Sequence, residues 1–397
     1  MNELPRRNHP FWIEQYVSYT NYLNSPAIYR KWAAFSGISA VLQRKTFCVL
    51  NGTMMYPNLF VALVGPPGLG KTQAIMPIRK MLASLESVKL SQARLSAEKL
   101  INSMTKAFTL APLQDDPFFT QTAFAVFVSE LSTFIRPNDI EFMTQLADLY
   151  DCPEVWGYGT ISRGDEKLEN VFLSIIGGIT PKSLATNFGA AAFGQGFTSR
   201  LNMIYSEDYK IPDLFGTRSV PSVDSFQKDL QQIAKLHGAF TFTKEAEREF
   251  QSWLNSGMLP APADGRLQEY LPRRWMHLAK LCMIYSAAER NDLIIEISQY
   301  EKAKAALLEA EAVLPKALEF MGTSPVMEAL RNVHSWMLSE YNTKKLPISE
   351  TKIKQKLLFD VQPQNLNSTI IELVASGYAK VLGTGPDRKY IPLVKEA

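Results

Sequence analysis

Residues Gly65-Pro66-Pro67-Gly68-Leu69-Gly70-Lys71-Thr72 constrain this chain more than any other stretch. Before them runs Leu59-Phe60-Val61-Ala62-Leu63-Val64, apolar and rich in β-formers, the pattern of a buried parallel strand. After them Gln73-Ala74-Ile75-Met76 opens a helix expected to reach about Leu85. A strand, G-x-x-x-x-G-K-T and a helix together make a phosphate-binding P-loop. Gly65, Gly68 and Gly70 let the backbone turn tightly and bring N–H groups against phosphate oxygens. The helix N-terminus adds partial positive charge at the same spot. Lys71 can reach the outer phosphates and the Thr72 hydroxyl can ligate Mg²⁺. ATP and Mg²⁺ are therefore the expected cofactors, held by the loop from Gly65 to Thr72.

With 397 residues the chain has room for two or three domains. Its net charge of +3 is too small to argue for nucleic acid by itself, so that case has to come from local clustering. Cys48, Cys152 and Cys282 are far apart and odd in number, which supports neither a disulfide framework nor a C-x-x-C zinc site. No apolar run is long enough to span a bilayer, and the first residues lack the pattern of a signal peptide. The expectation is a cytoplasmic protein with no membrane partner.

Residues 1–58 read as an N-terminal helical extension, with helices from Pro10 and from Ala27 to about Leu42. A hairpin arm turning at Asn51-Gly52 follows. Residues 59–222 read as the α/β core. There, a helix is expected from Ser96 to Phe108. The apolar run Ala123 to Val128 ends at Ser129-Glu130, where Walker B acids belong, and Glu130 is placed to polarise an attacking water. Ser129 stands where an aspartate is usual. The indirect Mg²⁺ contact then falls to its hydroxyl, or to Asp148 or Asp151. After a helix from Ile140 to Tyr150, a hairpin turns at Arg163-Gly164-Asp165, and the strand from Val171 ends at the polar Thr180. Arg200 directly precedes the last core strand, and its planar, permanent charge suits phosphate in a transition state.

Residues 223–322 read as a helical lid. A helix beginning near Pro272 carries Arg273 and Arg274 in its first turn, where cations are unfavourable unless an anion such as ATP phosphate answers them. Residues 323–397 read as three helices and a hairpin, a winged helix-turn-helix. The helix from Pro363 is expected to expose Gln364, Asn365, Asn367 and Ser368. Lys344, Lys345, Lys352, Lys354, Lys356, Arg388 and Lys389 supply candidate phosphate contacts. Winged helices also serve as protein-interaction modules.

In this order the stretches resemble AAA+ ATPases of the clade with a hairpin before the sensor strand, which includes superfamily-three viral helicases and minichromosome maintenance helicases. More closely, residues 57–290 resemble the phage and plasmid P-loop proteins often fused to primases. The resemblance is carried by Val64 to Thr72, Ser129-Glu130-Leu131, Leu149-Tyr150-Asp151, Gly177-Gly178-Ile179-Thr180-Pro181 and Gly196-Phe197-Thr198-Ser199-Arg200. It implies Lys71 and Thr72 on nucleotide and Mg²⁺, Glu130 as catalytic base and Thr180 as sensor. It further implies Arg200 as a finger acting on a neighbouring subunit, Arg273 or Arg274 as second sensor, and Arg163 or Lys167 facing DNA in a ring, with a hexamer as the expected size. With about 58 residues ahead of the core, no primase domain is expected there. The function implied is an ATP-driven DNA helicase of phage or mobile-element replication, working with other replication proteins. The alternative is a helicase loader or replication initiator that unwinds nothing by itself.

Overall fold

A computed structural model of the chain describes residues 6–92, 95–111, 113, 116–137, 139–160, 164–188, 196–211, 222–319, 325–358, 361, 363–383, 385 and 388–393. The chain forms two compact units, one ending at Met321 and one starting at Gly322. Both mix α-helices with β-strands.

The first unit is built on a five-stranded sheet in the order Phe108–Leu110, Thr120–Val128, Val171–Ile179, Phe60–Val64, Leu201–Tyr205. The last four are mutually parallel, and Phe108–Leu110 is an antiparallel edge. Side-chain alternation decides which face each residue buries. Phe60, Ala62 and Val64 join one apolar cluster, while Leu59, Val61 and Leu63 join the other. Helices Ala27–Leu42, Lys71–Ala83 and Arg274–Glu289 cover the second face. Ala97–Thr105, Ile140–Tyr150 and the end of Ile297–Leu318 contribute to the first. A parallel sheet needs both faces covered, and this one has them. The helix expected through Phe108 stops at Thr105, because Phe108, Thr109 and Leu110 pair with Thr122, Gln121 and Thr120 instead.

A second sheet joins strands from the segments 1–58 and 223–322. The hairpin Thr46–Leu50/Thr53–Met55 forms around Asn51-Gly52, and its first strand pairs in parallel with Gly238–Phe242. That strand in turn pairs with Ile294–Ile295, so the segment read as a helical lid holds two strands beside its helices. The fully buried Asp229 adds a polar tie: it accepts from the backbone N–H of Asn8 (2.8 Å) and of His9 (2.9 Å). Helix Ile297–Leu318 packs on the edge strand Leu201–Tyr205, and helix Arg274–Glu289 packs on Ala27–Leu42.

The second unit contains helices Pro325–Lys344, Glu350–Leu357 and Leu366–Ala375. Its antiparallel sheet runs Ile348–Ser349, Lys389–Pro392, Ala379–Leu382; the two-residue strand was not anticipated. Leu330, Val333, Ile353, Leu373 and Tyr390 form its core.

Helix Arg274–Glu289 also buries Lys280, whose ammonium donates to Asn58 Oδ1 and lies 4.0 Å from the centre of the Tyr150 ring. Burial pushes its pKa down to about 8, with Cys152 and Asp151 opposing the shift. Between that value and the ordinary 10.5 the unfolded chain binds the proton more tightly than the folded one. Lys280 therefore contributes more to stability as pH rises across that window. Thermal melts of wild type and Lys280→Met should show the difference between them moving in favour of wild type from pH 8 to 10. A difference that stays flat would show that the amine titrates normally.

Candidate functional site

Parallel strands bring their carboxyl ends to one edge of the sheet. Val64 pairs with Ile179 on one side and Tyr205 on the other, and Val128 pairs with Gly177. The glycine-rich loop leaves from this edge. Its root is fixed by Gly65 N–H donating to Ile179 (3.2 Å) and Ser206 N–H donating to Val64 (3.2 Å). At its far end Gly70 has φ +77° and begins helix Lys71–Ala83. A Cβ on Gly70 would sit 1.9 Å from the Asn24 carbonyl, so only glycine fits. Asn24 N–H donates to Gln73 Oε1 (2.9 Å), and the Tyr29 hydroxyl donates to the Val64 carbonyl. Residues 24–29 thus brace the loop from outside. Sequence reasoning placed a helix there without seeing this contact, which no local pattern announces.

Lys71 is buried in the first turn of that helix, and its ammonium donates to the carbonyls of Gly65 (2.6 Å) and Pro66 (2.8 Å). Burial lowers its pKa, and the negative charge of Glu130 opposes that shift. The two strand ends meet the helix at Gly178, where a Cβ would lie 2.8 Å from the Ser129 carbonyl and 3.1 Å from Lys71 Cβ. Glu130 Oε1 accepts from Ser132 Oγ at 2.8 Å, a partner the sequence reading did not name. Thr180 accepts from Ser183 N–H (3.1 Å) and donates to Ser183 Oγ (2.9 Å), capping helix Pro181–Asn187. Thr72 and Ser129 are exposed, as are Pro66, Pro67 and Gly68, while Leu69 is buried. One edge of the sheet therefore gathers a cation, helix N-terminal amides and hydroxyls, donors that fit a polyphosphate, with the Glu130 carboxylate beside them as an acceptor. Among the described residues, no three His, Cys, Asp or Glu side chains gather as a metal site. Thr72 and phosphate oxygens suit Mg²⁺, which keeps few protein ligands.

Arg200 sits at the other edge. Leu201 pairs with Phe60, so a five-residue strand, roughly 17 Å, separates Arg200 from the loop. Its guanidinium grips Asp151 (Nε to Oδ1 3.2 Å, Nη2 to Oδ2 2.5 Å) and donates to the Gly196 carbonyl at 2.9 Å. Arg273 is its neighbour: burial lowers the Arg273 pKa, the charge of Arg200 lowers it further, and Asp151 opposes both. Asp151 is thus bonded to Arg200, and its charge is felt by Arg273 as well. Asp151, a sequence candidate for the indirect Mg²⁺ contact, is committed to this edge.

Arg274 turns the other way. It is fully buried, donating to Glu311 through Nε (2.7 Å) and Nη2 (2.6 Å) and to the Pro260 carbonyl (2.7 Å). Tyr270 completes the Glu311 carboxylate with a 2.8 Å hydrogen bond. Of the two adjacent arginines, Arg274 is an internal strut and Arg273 faces the Arg200 cluster.

The candidate DNA contacts divide between the units. Lys167 is exposed on the hairpin Val155–Thr160/Gly164–Glu169 and pairs with Glu169 at 2.7 Å. Arg163 lies outside the described residues. In the second unit Lys352, Lys354 and Arg388 are near acidic partners, Lys389 is exposed, and Gln364 and Asn367 are exposed where helix Leu366–Ala375 begins.

The two arginines should separate in a urea unfolding experiment. Arg274→Ala leaves the Glu311 charge buried and should cost about 3–5 kcal/mol. Arg273→Ala should cost less than about 1 kcal/mol. Equal costs would contradict the division of roles. No protein-family model matches the chain, and no curated protein matches it.

Proposed function

We propose that this chain is an AAA+ P-loop ATPase with a C-terminal winged helix, working as a ring-forming DNA helicase in phage or mobile-element replication. What carries the reading is the polarity of the sheet. Lys71, Glu130 and Thr180 share its carboxyl edge, whereas Arg200 and Arg273 share its amino edge. Arginines so far from their own loop can act on phosphate only in a neighbouring copy, and a closed ring supplies such a neighbour to every subunit.

When bound, ATP and Mg²⁺ supply the transferable phosphoryl group and neutralise part of its charge. Loop amides and Lys71 would hold the phosphates, and the Thr72 and Ser129 hydroxyls would help to hold the metal. Glu130 takes the proton of the attacking water, leaving Ser132 to orient the carboxylate. Thr180 reports the state of the phosphate, and the neighbour's Arg200 stabilises transition-state charge, with Arg273 beside it. Lys167 and Arg163 on the hairpin face DNA in the pore. The expected assembly is a hexamer that meets other replication proteins in the cytoplasm. Among the described residues no helix is long and apolar enough to cross a membrane.

Ser129 favours a second reading. With a hydroxyl in place of a carboxylate beside Glu130, slow hydrolysis suits a helicase loader or replication initiator. Strand displacement on forked DNA by the purified chain alone decides between them. The helicase reading expects unwinding that Lys71→Ala abolishes together with ATP hydrolysis, a loss of roughly 100-fold or more. Unwinding that survives Lys71→Ala sinks it; slow hydrolysis with no unwinding supports the loader.

A further inference from the structure

The helix that a helix-turn-helix would use for reading bases carries no cation of its own. Helix Leu366–Ala375 exposes Asn367, Ser368, Ile371 and Glu372, and its sequence LNSTIIELVA carries Glu372 as its sole charge. Ile371 is 68% exposed. Such a helix would meet flanking phosphates with an acid and an uncovered apolar side chain.

Another face of the same unit has the opposite character. Glu340 sits between Lys344 (2.6 Å) and Lys352 (3.7 Å). Glu350 sits between Lys354 (2.8 Å) and Arg388 (3.8 Å) and accepts from the Tyr390 hydroxyl at 2.8 Å. The backbone joins these groups: Glu350 N–H donates to the Arg388 carbonyl, and Ser349 pairs with Lys389. Among the described residues no acidic partner is found for the exposed Lys345 or Lys389. Four cations therefore flank two carboxylates, with Lys345 following Lys344 and Lys389 following Arg388 in the chain. Solvated pairs of this kind are worth about 0–1 kcal/mol each, so exchanging a carboxylate for a phosphate oxygen costs little. Each glutamate spans two cations and so holds them in place before a polyanion arrives.

We propose that this face, formed by the end of helix Pro325–Lys344, helix Glu350–Leu357 and strand Lys389–Pro392, grips a nucleic-acid phosphate backbone without regard to sequence. Helix Leu366–Ala375 does not read bases. The inference rests on the nucleic-acid part of the function proposed above and on none of its ATPase part.

The test is fluorescence anisotropy on the nucleotide-free full chain. The probes are two unrelated labelled duplexes of about 30 base pairs and one of their strands alone, between roughly 50 and 200 mM salt. The two duplexes should bind within about twofold of each other. Changing Lys345→Gln, Lys352→Gln and Lys389→Gln together should reduce the slope of log affinity against log salt by about 3 on duplex, and somewhat less on single strand. Affinity at the low-salt end should fall roughly tenfold or more. Asn367→Ala with Ile371→Ala should change neither quantity. Three results would overturn the proposal: no binding to either form, an unchanged slope in the triple variant, or affinity lost in the Asn367/Ile371 variant instead. Lys71→Ala should leave this binding intact while removing ATP hydrolysis, so failure of the motor and failure of this face are read separately.

Discussion

The site depends on the parallel pairing of Phe60–Val64 along both of its edges. All five residues are buried, and their side chains alternate between two apolar clusters. A slip of one residue would exchange the two faces and move the loop root relative to Thr180 and Ser206. With the register fixed, Gly65 leaves the sheet beside Ile179, and Lys71 arrives where the ends of two other strands already stand. Asn24 and Tyr29 then fix the loop from the far side, so the N-terminal helices belong to the site as much as the core does.

The same sheet separates its charges. Burial works against the protonated forms of Lys71 at the carboxyl edge and of Arg273 and Lys280 toward the amino edge. At the carboxyl edge carbonyls hold Lys71, and at the amino edge Arg200 pairs with an Asp151 that is still about half exposed. Arg274 and Glu311 show the contrast: that pair is closed, buried and hydrogen-bonded throughout, and it serves the fold. Cations held by carbonyls, or paired with an exposed carboxylate, are better placed to answer an incoming anion than that buried pair.

Local pattern carried most of what was legible in the sequence. The loop with its strand and helix, and the elements Ala27–Leu42, Ile140–Tyr150 and Leu201–Tyr205, follow from apolar periodicity and from glycine and proline placement. Non-local pairing was not legible. Nothing in Thr46-Phe47-Cys48 points to Gly238-Ala239-Phe240 as its parallel partner. Asp151 was ambiguous for a related reason. Helix Ile140–Tyr150 returns to the amino edge, where Asn58 donates to the Tyr150 carbonyl, so a carboxylate only 21 positions after Glu130 ends up on the opposite side of the sheet. For Arg273 and Arg274, helical geometry says that adjacent side chains diverge. Which one turns inward depends on Glu311, on a different helix.

The central claim is that each nucleotide site is completed by an arginine from the neighbouring copy. The most direct measurement mixes two inactive proteins, Lys71→Ala with its arginines intact and Arg200→Ala with its loop intact, and follows ATP hydrolysis. Each alone should be inactive, and the mixture should regain hydrolysis because an intact loop then meets an intact Arg200 across an interface. Full activity of Arg200→Ala on its own, with no gain on mixing, would contradict the account and leave Arg200 as the structural partner of Asp151.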